Sequence, residues 1–201
     1  ELPDHFIRGI RENLAHYPEK VLIGEIWEDA SNKISYGARR NYILGEGLQG
    51  CMNYPFRDLI INFLIGKRSS QETAQRFMSL YENYPHSIFY GNLNNLGTHD
   101  TERILTMVGS RNNLLAIAML FSLPGVPCIY YGDEVALTGG KDPDNRKYFP
   151  WEKPRDEVFQ TYQVWSKKRV KEQVLIQGDF SMFFTSTLLG ILRYTEQEVY
   201  V

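Results

Sequence analysis

Apolar residues in this chain recur in two rhythms. Phe6, Ile7, Ile10 and Leu14 fall at helical spacing across residues 3–17, with Asp4 as the expected cap and Pro18 ending the pattern. Residues 21–26 then form an almost unbroken apolar run, as in a strand covered on both faces. The alternation repeats. Residues 50–54 predict a second strand, 56–65 and 71–84 predict helices, and 93–97 predict a third strand. A helix over 112–122 leads to a fourth strand over 126–131, announced by Pro124, Gly125 and Pro127. Residues 139–150 form a polar, turn-rich loop, and 158–174 an amphipathic closing helix. From Phe180 onward the pattern changes to strands separated by Thr195 and Glu196. Four buried strands alternating with helices predict an α/β fold with a parallel sheet, either a barrel or an open doubly wound sheet.

Composition narrows this picture only at the edges. With 22 Lys and Arg against 24 Asp and Glu in 201 residues, the chain offers no basic stripe for phosphates. Lys167, Lys168, Arg169 and Lys171 read as one solvated helix end, so nucleic acid is not an expected partner. No continuous run reaches the roughly 18 apolar residues of a membrane span, and no signal-peptide core follows the charged start. Membrane association is therefore not expected. Cys51 and Cys128, far apart and each inside an apolar segment, predict buried reduced thiols rather than a bridge or metal site. Location stays open, with the cytoplasm slightly favoured over secretion, because a signal upstream of Glu1 would leave no trace here.

The polar residues that follow each strand are the informative ones. In parallel α/β folds reactive groups gather at the carboxyl ends of strands. After the first run come Glu25, Trp27 and Glu28; after the second, Asn53 and Tyr54; after the third, His99 and Asp100; after the fourth, Asp133 and Glu134. Such a rim suits a sugar: carboxylates bind hydroxyls and move protons, and Trp27 offers a flat face to the apolar side of a pyranose. Singly, each residue also has an ordinary reading, Glu25 as an ion pair and His99-Asp100 as a capping pair. His99, Asp100 and Asp133 match no zinc or calcium spacing, so no metal site is expected. There is no Gly-x-Ser-x-Gly elbow, and Gly139-Gly140 lacks the form of a dinucleotide turn.

Four ordered segments carry a more specific signal. They are Gly24-Glu25-Ile26-Trp27, Met52-Asn53-Tyr54-Pro55-Phe56-Arg57, Thr98-His99-Asp100-Thr101-Glu102-Arg103 and Pro127-Cys128-Ile129-Tyr130-Tyr131-Gly132-Asp133-Glu134. Together with the loop Gly139-Gly140-Lys141-Asp142-Pro143-Asp144-Asn145-Arg146, they closely resemble the alpha-amylase superfamily, glycoside hydrolase family 13. Within it the chain is most similar to the neopullulanase, cyclomaltodextrinase and maltogenic amylase group. The resemblance implies strands five to eight of a (β/α)8 barrel up to residue 177, followed over 178–201 by the start of a C-terminal β-sandwich.

The resemblance also implies roles. Glu25 takes the general acid/base position, which calls for a carboxyl lifted toward about 6 to 7 by burial beside Trp27. Asp100 grips hydroxyls of the reacting glucose and stabilises the oxocarbenium-like transition state, and His99 is its hydrogen-bonding neighbour. Asp142 and Arg146 hold sugars further along the nonreducing side, and Trp27, Glu28 and Asn53 contribute further contacts. Glu28 stands where relatives often have His, and Tyr148-Phe149-Pro150-Trp151 replaces a more usual loop, so acceptor and branch preference are open.

By the same resemblance the nucleophile is an Asp four positions before Glu1. These residues alone are therefore expected to lack it and to be inactive and aggregation-prone. The expected activity of the whole protein is retaining hydrolysis of alpha-1,4-glucosidic bonds, with alpha-1,6 bonds as an extension, on maltooligosaccharides, cyclodextrins, pullulan or starch. A transglycosylase and a non-catalytic glucan-binding or partner-binding barrel are the alternatives. No cofactor is implied for this segment, calcium being a matter for the missing half, and a homodimer of the full-length protein is left open.

Overall fold

The computed structural model describes residues 2–45 and 47–201; Glu1, the reference point for the expected nucleophile, lies outside them. Helix α1 (Asp4–Leu14) opens the chain. It is capped by Pro3 rather than by Asp4, whose carboxylate instead accepts from Arg40 Nε at 3.0 Å. Strand β1 (Ile23–Ile26) follows, then a small hairpin of β2 (Ile34–Ser35) and β3 (Ala38–Arg39) that the hydrophobic pattern does not announce. Strand β4 (Gly50–Asn53) runs directly into α2 (Tyr54–Leu64), because the Asn53 carboxamide accepts from Phe56 N at 3.2 Å and caps the helix. Helix α3 (Ser70–Asn83) is capped in the same way by Ser69, and the short α4 (His86–Gly91) leads into β5 (Leu93–Asn95).

Helix α5 (Ile104–Ser122) begins eight residues earlier than the apolar periodicity predicts. Gly109, at φ 76°, bends it inside a polar stretch that hides the helical rhythm. By length and composition α5 could cross a membrane, yet Ile117, Leu120 and Phe121 are buried in the protein core against α2 and α6. Strand β6 (Val126–Cys128) is shorter than expected. The single closing helix resolves into α6 (Glu157–Lys171) and α7 (Gln173–Gln177). Arg169 is not part of a solvated end: it donates to the carbonyls of Phe121, Leu123 and Gly125, and burial pushes its pKa down to about 10. It ties the end of α6 to the start of β6.

The four main strands are all parallel and lie in the order β1-β4-β5-β6, with pairs such as Ile23 to Gly50, Met52 to Leu93 and Leu93 to Val126. A doubly wound sheet reverses its order at a switch point, whereas here every new strand adds to the same side. That order is the one expected of a barrel wall. The chain is an α/β fold whose helices cover the outside of that wall, with Phe56, Ile60, Ile117 and Leu120 at the contact. Each fully buried side chain of this kind stabilises the fold by roughly 1.5–3 kcal/mol.

The last segment is a three-stranded antiparallel sheet of β7 (Asp179–Phe184), β8 (Leu189–Tyr194) and β9 (Val199–Tyr200). Phe180 packs edge-on to Tyr81, and the buried Arg193 donates to Ser122 O and Gly178 O at 2.9 and 2.8 Å. Both cysteines are free. Burial pushes the Cys51 thiol up to about 12, while Cys128 is only half-buried.

Candidate active site

The carboxyl ends of β1, β4 and β5 bring Glu25, Tyr54 and Asp100 to one rim. The Tyr54 hydroxyl donates to Glu25 Oε1 at 3.5 Å, and its ring stacks on Trp27 with centroids 3.9 Å apart. Burial raises the Tyr54 pKa; a hydrogen bond with Thr98 opposes this, and the carboxylates of Glu25 and Asp100 add to it. Tyr54 thus stays a donor and sits under the influence of both carboxylates. Sequence reasoning placed it on the rim after the second strand but gave it no role of its own.

Glu25 itself is exposed, so the burial expected around it is not supplied by the described residues. Trp27 remains 48% exposed, but one of its faces is taken by Tyr54 and cannot also receive a sugar. A cleft of about 530 Å³ runs beside β1, with Glu25, Trp27 and Glu28 at its polar end and Ile7, Ile23 and Leu48 along its apolar walls. Glu28 is paired with Lys33 at 2.8 Å.

Asn53 is turned into the wall. Its Oδ1 caps α2 and its Nδ2 donates to Asn94 Oδ1 at 2.8 Å, and the residue is buried. Asn94 in turn donates to Pro124 O at 2.7 Å. Asn53 therefore links strands across the wall through one N–H and one lone pair of its carboxamide.

On the other side of the rim the expected residues do meet. His99 Nε2 lies 3.1 Å from Asp100 Oδ2, and Arg146 Nη2 donates to Asp100 Oδ1 at 3.2 Å. Arg146 also holds Asp142 at 2.7 Å and donates to His99 O at 3.0 Å. Arg146 lies 46 and 47 residues from Asp100 and His99, so only the fold joins these two pairs. A second open space, about 380 Å³, is bounded by Arg57, Asp100, Glu102, Lys141 and Asp142.

Beneath this surface lies a scaffold the sequence does not reveal. Asn145, fully buried, donates through Nδ2 to His99 O at 2.6 Å and Thr101 O at 2.9 Å, bracketing Asp100. Its own carbonyl accepts from Arg103 Nε at 2.8 Å, and Arg103 Nη1 pairs with Asp133 Oδ1 at 2.9 Å. Asp133 is thus not a rim carboxylate but half of a buried ion pair, packed so closely that any Cβ on Gly97 would meet its Oδ2 at 2.4 Å. The signal available in sequence was an Arg and an Asp, 30 residues apart, in motifs that both follow strands.

Burial pushes the Asp133 carboxyl up to about 6, against the pull of Arg103. A carboxyl whose folded pKa exceeds its unfolded value of 3.8 keeps its proton in the folded state after the unfolded chain has released it. Its contribution to stability is therefore present below about 3.8 and lost as pH rises to about 6. Thermal unfolding of the full-length protein across that window, compared with Asp133→Asn, should show this decline in the wild type only. A difference independent of pH would mean that Arg103 keeps Asp133 ionised throughout.

Among the described residues, no group of three or more His, Cys, Asp or Glu is placed to hold a metal ion. What the rim can do is move a proton at Glu25 and hold hydroxyls through Asp100, His99 and Arg146.

Comparison with known proteins adds the context. The family model for the alpha amylase catalytic domain matches residues 3–175. The chain is 34% identical to an amylopullulanase of Thermoanaerobacter thermohydrosulfuricus, over 84% of this chain and 13% of that protein. It is 32% identical to a cyclomaltodextrinase of Geobacillus thermopakistaniensis, over 98% of this chain and 33% of that one. Among solved structures, the ligand-free cyclic alpha-maltosyl-(1→6)-maltose hydrolase of Arthrobacter globiformis superposes with a TM-score of 0.90 at 29% identity, covering 98% of this chain and 44% of that one. The chain spans less than half the length of each of these relatives.

Proposed function

The chain belongs to the alpha-amylase catalytic-domain family, and from that premise we propose that it supplies strands five to eight of the barrel of a retaining alpha-glucan hydrolase. Residues 178–201 then open a C-terminal β-domain. The substrates are alpha-1,4-glucans, with alpha-1,6 bonds as an extension, in keeping with the amylopullulanase and cyclomaltodextrinase names of the relatives.

In this reading Glu25 protonates the departing glycosidic oxygen and then takes a proton from the water that frees the sugar. Tyr54, donating to Glu25, holds the carboxyl in place. Asp100, fixed by His99 and Arg146, binds hydroxyls of the reacting glucose and favours the flattened, positively charged transition state. Asp142 shares Arg146 and contacts the next sugar, and Glu28 with Lys33 faces the acceptor side. A retaining mechanism needs a second carboxylate about 5 to 5.5 Å from the first. In this reading that nucleophile belongs to the preceding strand of the barrel. No cofactor takes part within this segment.

The observation that carries the reading is Tyr54, which donates to Glu25 and whose pKa is raised by burial and, in smaller part, by the charges of Glu25 and Asp100. The test is the anomeric form of the first product released from maltooligosaccharide by the full-length protein, followed by proton NMR. Initial release of the alpha anomer is expected; initial release of the beta anomer, or no hydrolysis of any alpha-glucan, would overturn it.

A further inference from the structure

Arg57 reaches from the first turn of α2 to the segment that carries Asp100. Its Nε donates to Leu96 O at 2.7 Å, and its Nη2 donates to Glu102 O at 3.2 Å and meets Met107 Sδ at 3.0 Å. Leu96 and Glu102 are the two feet of the turn that presents His99 and Asp100. A planar guanidinium offers its donors in a fixed fork, so one side chain bridges both feet and sets their spacing. Within the turn Asp100 N donates to Thr98 Oγ1 at 3.2 Å and Thr98 N donates to Thr101 Oγ1 at 3.0 Å, which makes the tip move with the feet. Asn145 holds that tip from the other side, through His99 O and Thr101 O.

Tyr54, the donor to Glu25, stands three residues before Arg57. Helical residues at that separation share a face and lie about 4.5 Å apart along the axis. A single turn of helix therefore touches the acid with one side chain and the Asp100 turn with the other. The helix cannot easily rotate or slide. Asn53 caps it at Phe56 N and is itself bonded to Asn94, and Phe56 is buried edge-on to Phe77 with ring centroids 5.9 Å apart. The elements involved are neighbours in the middle of the sheet, β4 lying between β1 and β5. Resting on the functional reading above, we propose that Arg57 is a positioning residue for Asp100, and that the first turn of α2, through Tyr54 and Arg57 together, sets the separation between Glu25 and Asp100. Both carboxyl groups act on the same glucose, and a misplacement of about 1 Å at such a centre costs about 10²-fold in rate.

The test uses the full-length protein with Arg57→Met, which keeps an apolar stem and removes every donor, and Arg57→Lys, which keeps the charge without the fork. Two readouts are taken: kcat and KM on maltotriose, and amide hydrogen exchange by mass spectrometry, which needs no turnover. Arg57→Met is expected to lower kcat about 10²-fold with KM changed by less than about threefold, and to speed exchange over residues 96–102 while leaving β7 to β9 as in wild type. Arg57→Lys should fall between the two. In a Tyr54→Phe background, where the spacing is already lost, Arg57→Met should cost less than about tenfold more. A loss mainly in KM would make Arg57 a substrate contact and overturn the positioning role, as would wild-type kcat in Arg57→Lys. Losses that simply multiply in the two backgrounds would overturn the shared spacing. Should Arg57→Met not fold, the rates and exchange pattern of Arg57→Lys decide the matter. Wild type that hydrolyses no alpha-glucan would overturn the functional reading, and exchange over 96–102 would then decide by itself whether Arg57 holds the turn.

Discussion

Replacing Glu25 with glutamine in the full-length protein is expected to lower kcat on maltooligosaccharides by about 10²- to 10⁴-fold, the range of a lost general acid and base. Glutamine keeps the shape and the hydrogen bond from Tyr54 but has no proton to give at the glycosidic oxygen. Oligosaccharide affinity, measured by calorimetry, should change little, because Asp100, His99 and Arg146 are untouched. A substrate whose leaving group is an acidic phenol needs little protonation, so its bond-breaking step should suffer far less than that of a sugar leaving group. Wild-type rates in Glu25→Gln would remove Glu25 from the mechanism and favour a barrel that binds glucan without cleaving it.

The second large effect is on stability. Arg103 is fully buried, pairs with Asp133 at 2.9 Å and lies over the Tyr130 ring with its guanidinium carbon 4.1 Å from the centroid. Arg103→Met removes one charge and strands the other. Breaking a buried pair in this way costs about 3–5 kcal/mol, whereas replacing both partners with apolar side chains of similar volume is often near neutral. Denaturant unfolding of the full-length protein should therefore show a large loss for Arg103→Met and substantial recovery in Arg103→Met/Asp133→Leu. The double variant should still be slow in turnover. Arg103 also holds Asn145 O, and Asn145 brackets Asp100, so Arg103 acts as a positioning residue for the rim. A single variant within about 1 kcal/mol of wild type would show that the pair is not what stabilises this corner.

Much of this fold is legible in the hydrophobic pattern because buried parallel strands and their covering helices have distinct periods. Strands β1, β4, β5 and β6 and helices α1, α2, α3 and α6 all lie where apolar residues cluster. The hairpin of β2 and β3 escapes notice because its residues are mostly exposed and carry no alternation. The first half of α5 escapes because Gly109-Ser110-Arg111-Asn112 interrupts the helical rhythm in sequence, though the helix continues through a bend. A pattern records which residues avoid water, and both cases lack that signal.

The site divides along the same line. His99, Asp100, Asp142 and Arg146 were named from motifs and do form one ion-paired group. Asn53 and Asp133, equally well placed after strands, turn inward instead. By itself, the sequence determined the alternation of strands and helices, the family, and the residue types available at each strand end. Only the tertiary structure decided whether the sheet follows a barrel order, which strand-end groups face solvent, and which are used as struts. The reason is physical: periodicity is set over a few residues, whereas the partner that satisfies a buried carboxamide or carboxylate, such as Asn94 for Asn53 or Arg103 for Asp133, arrives from 30 or more residues away.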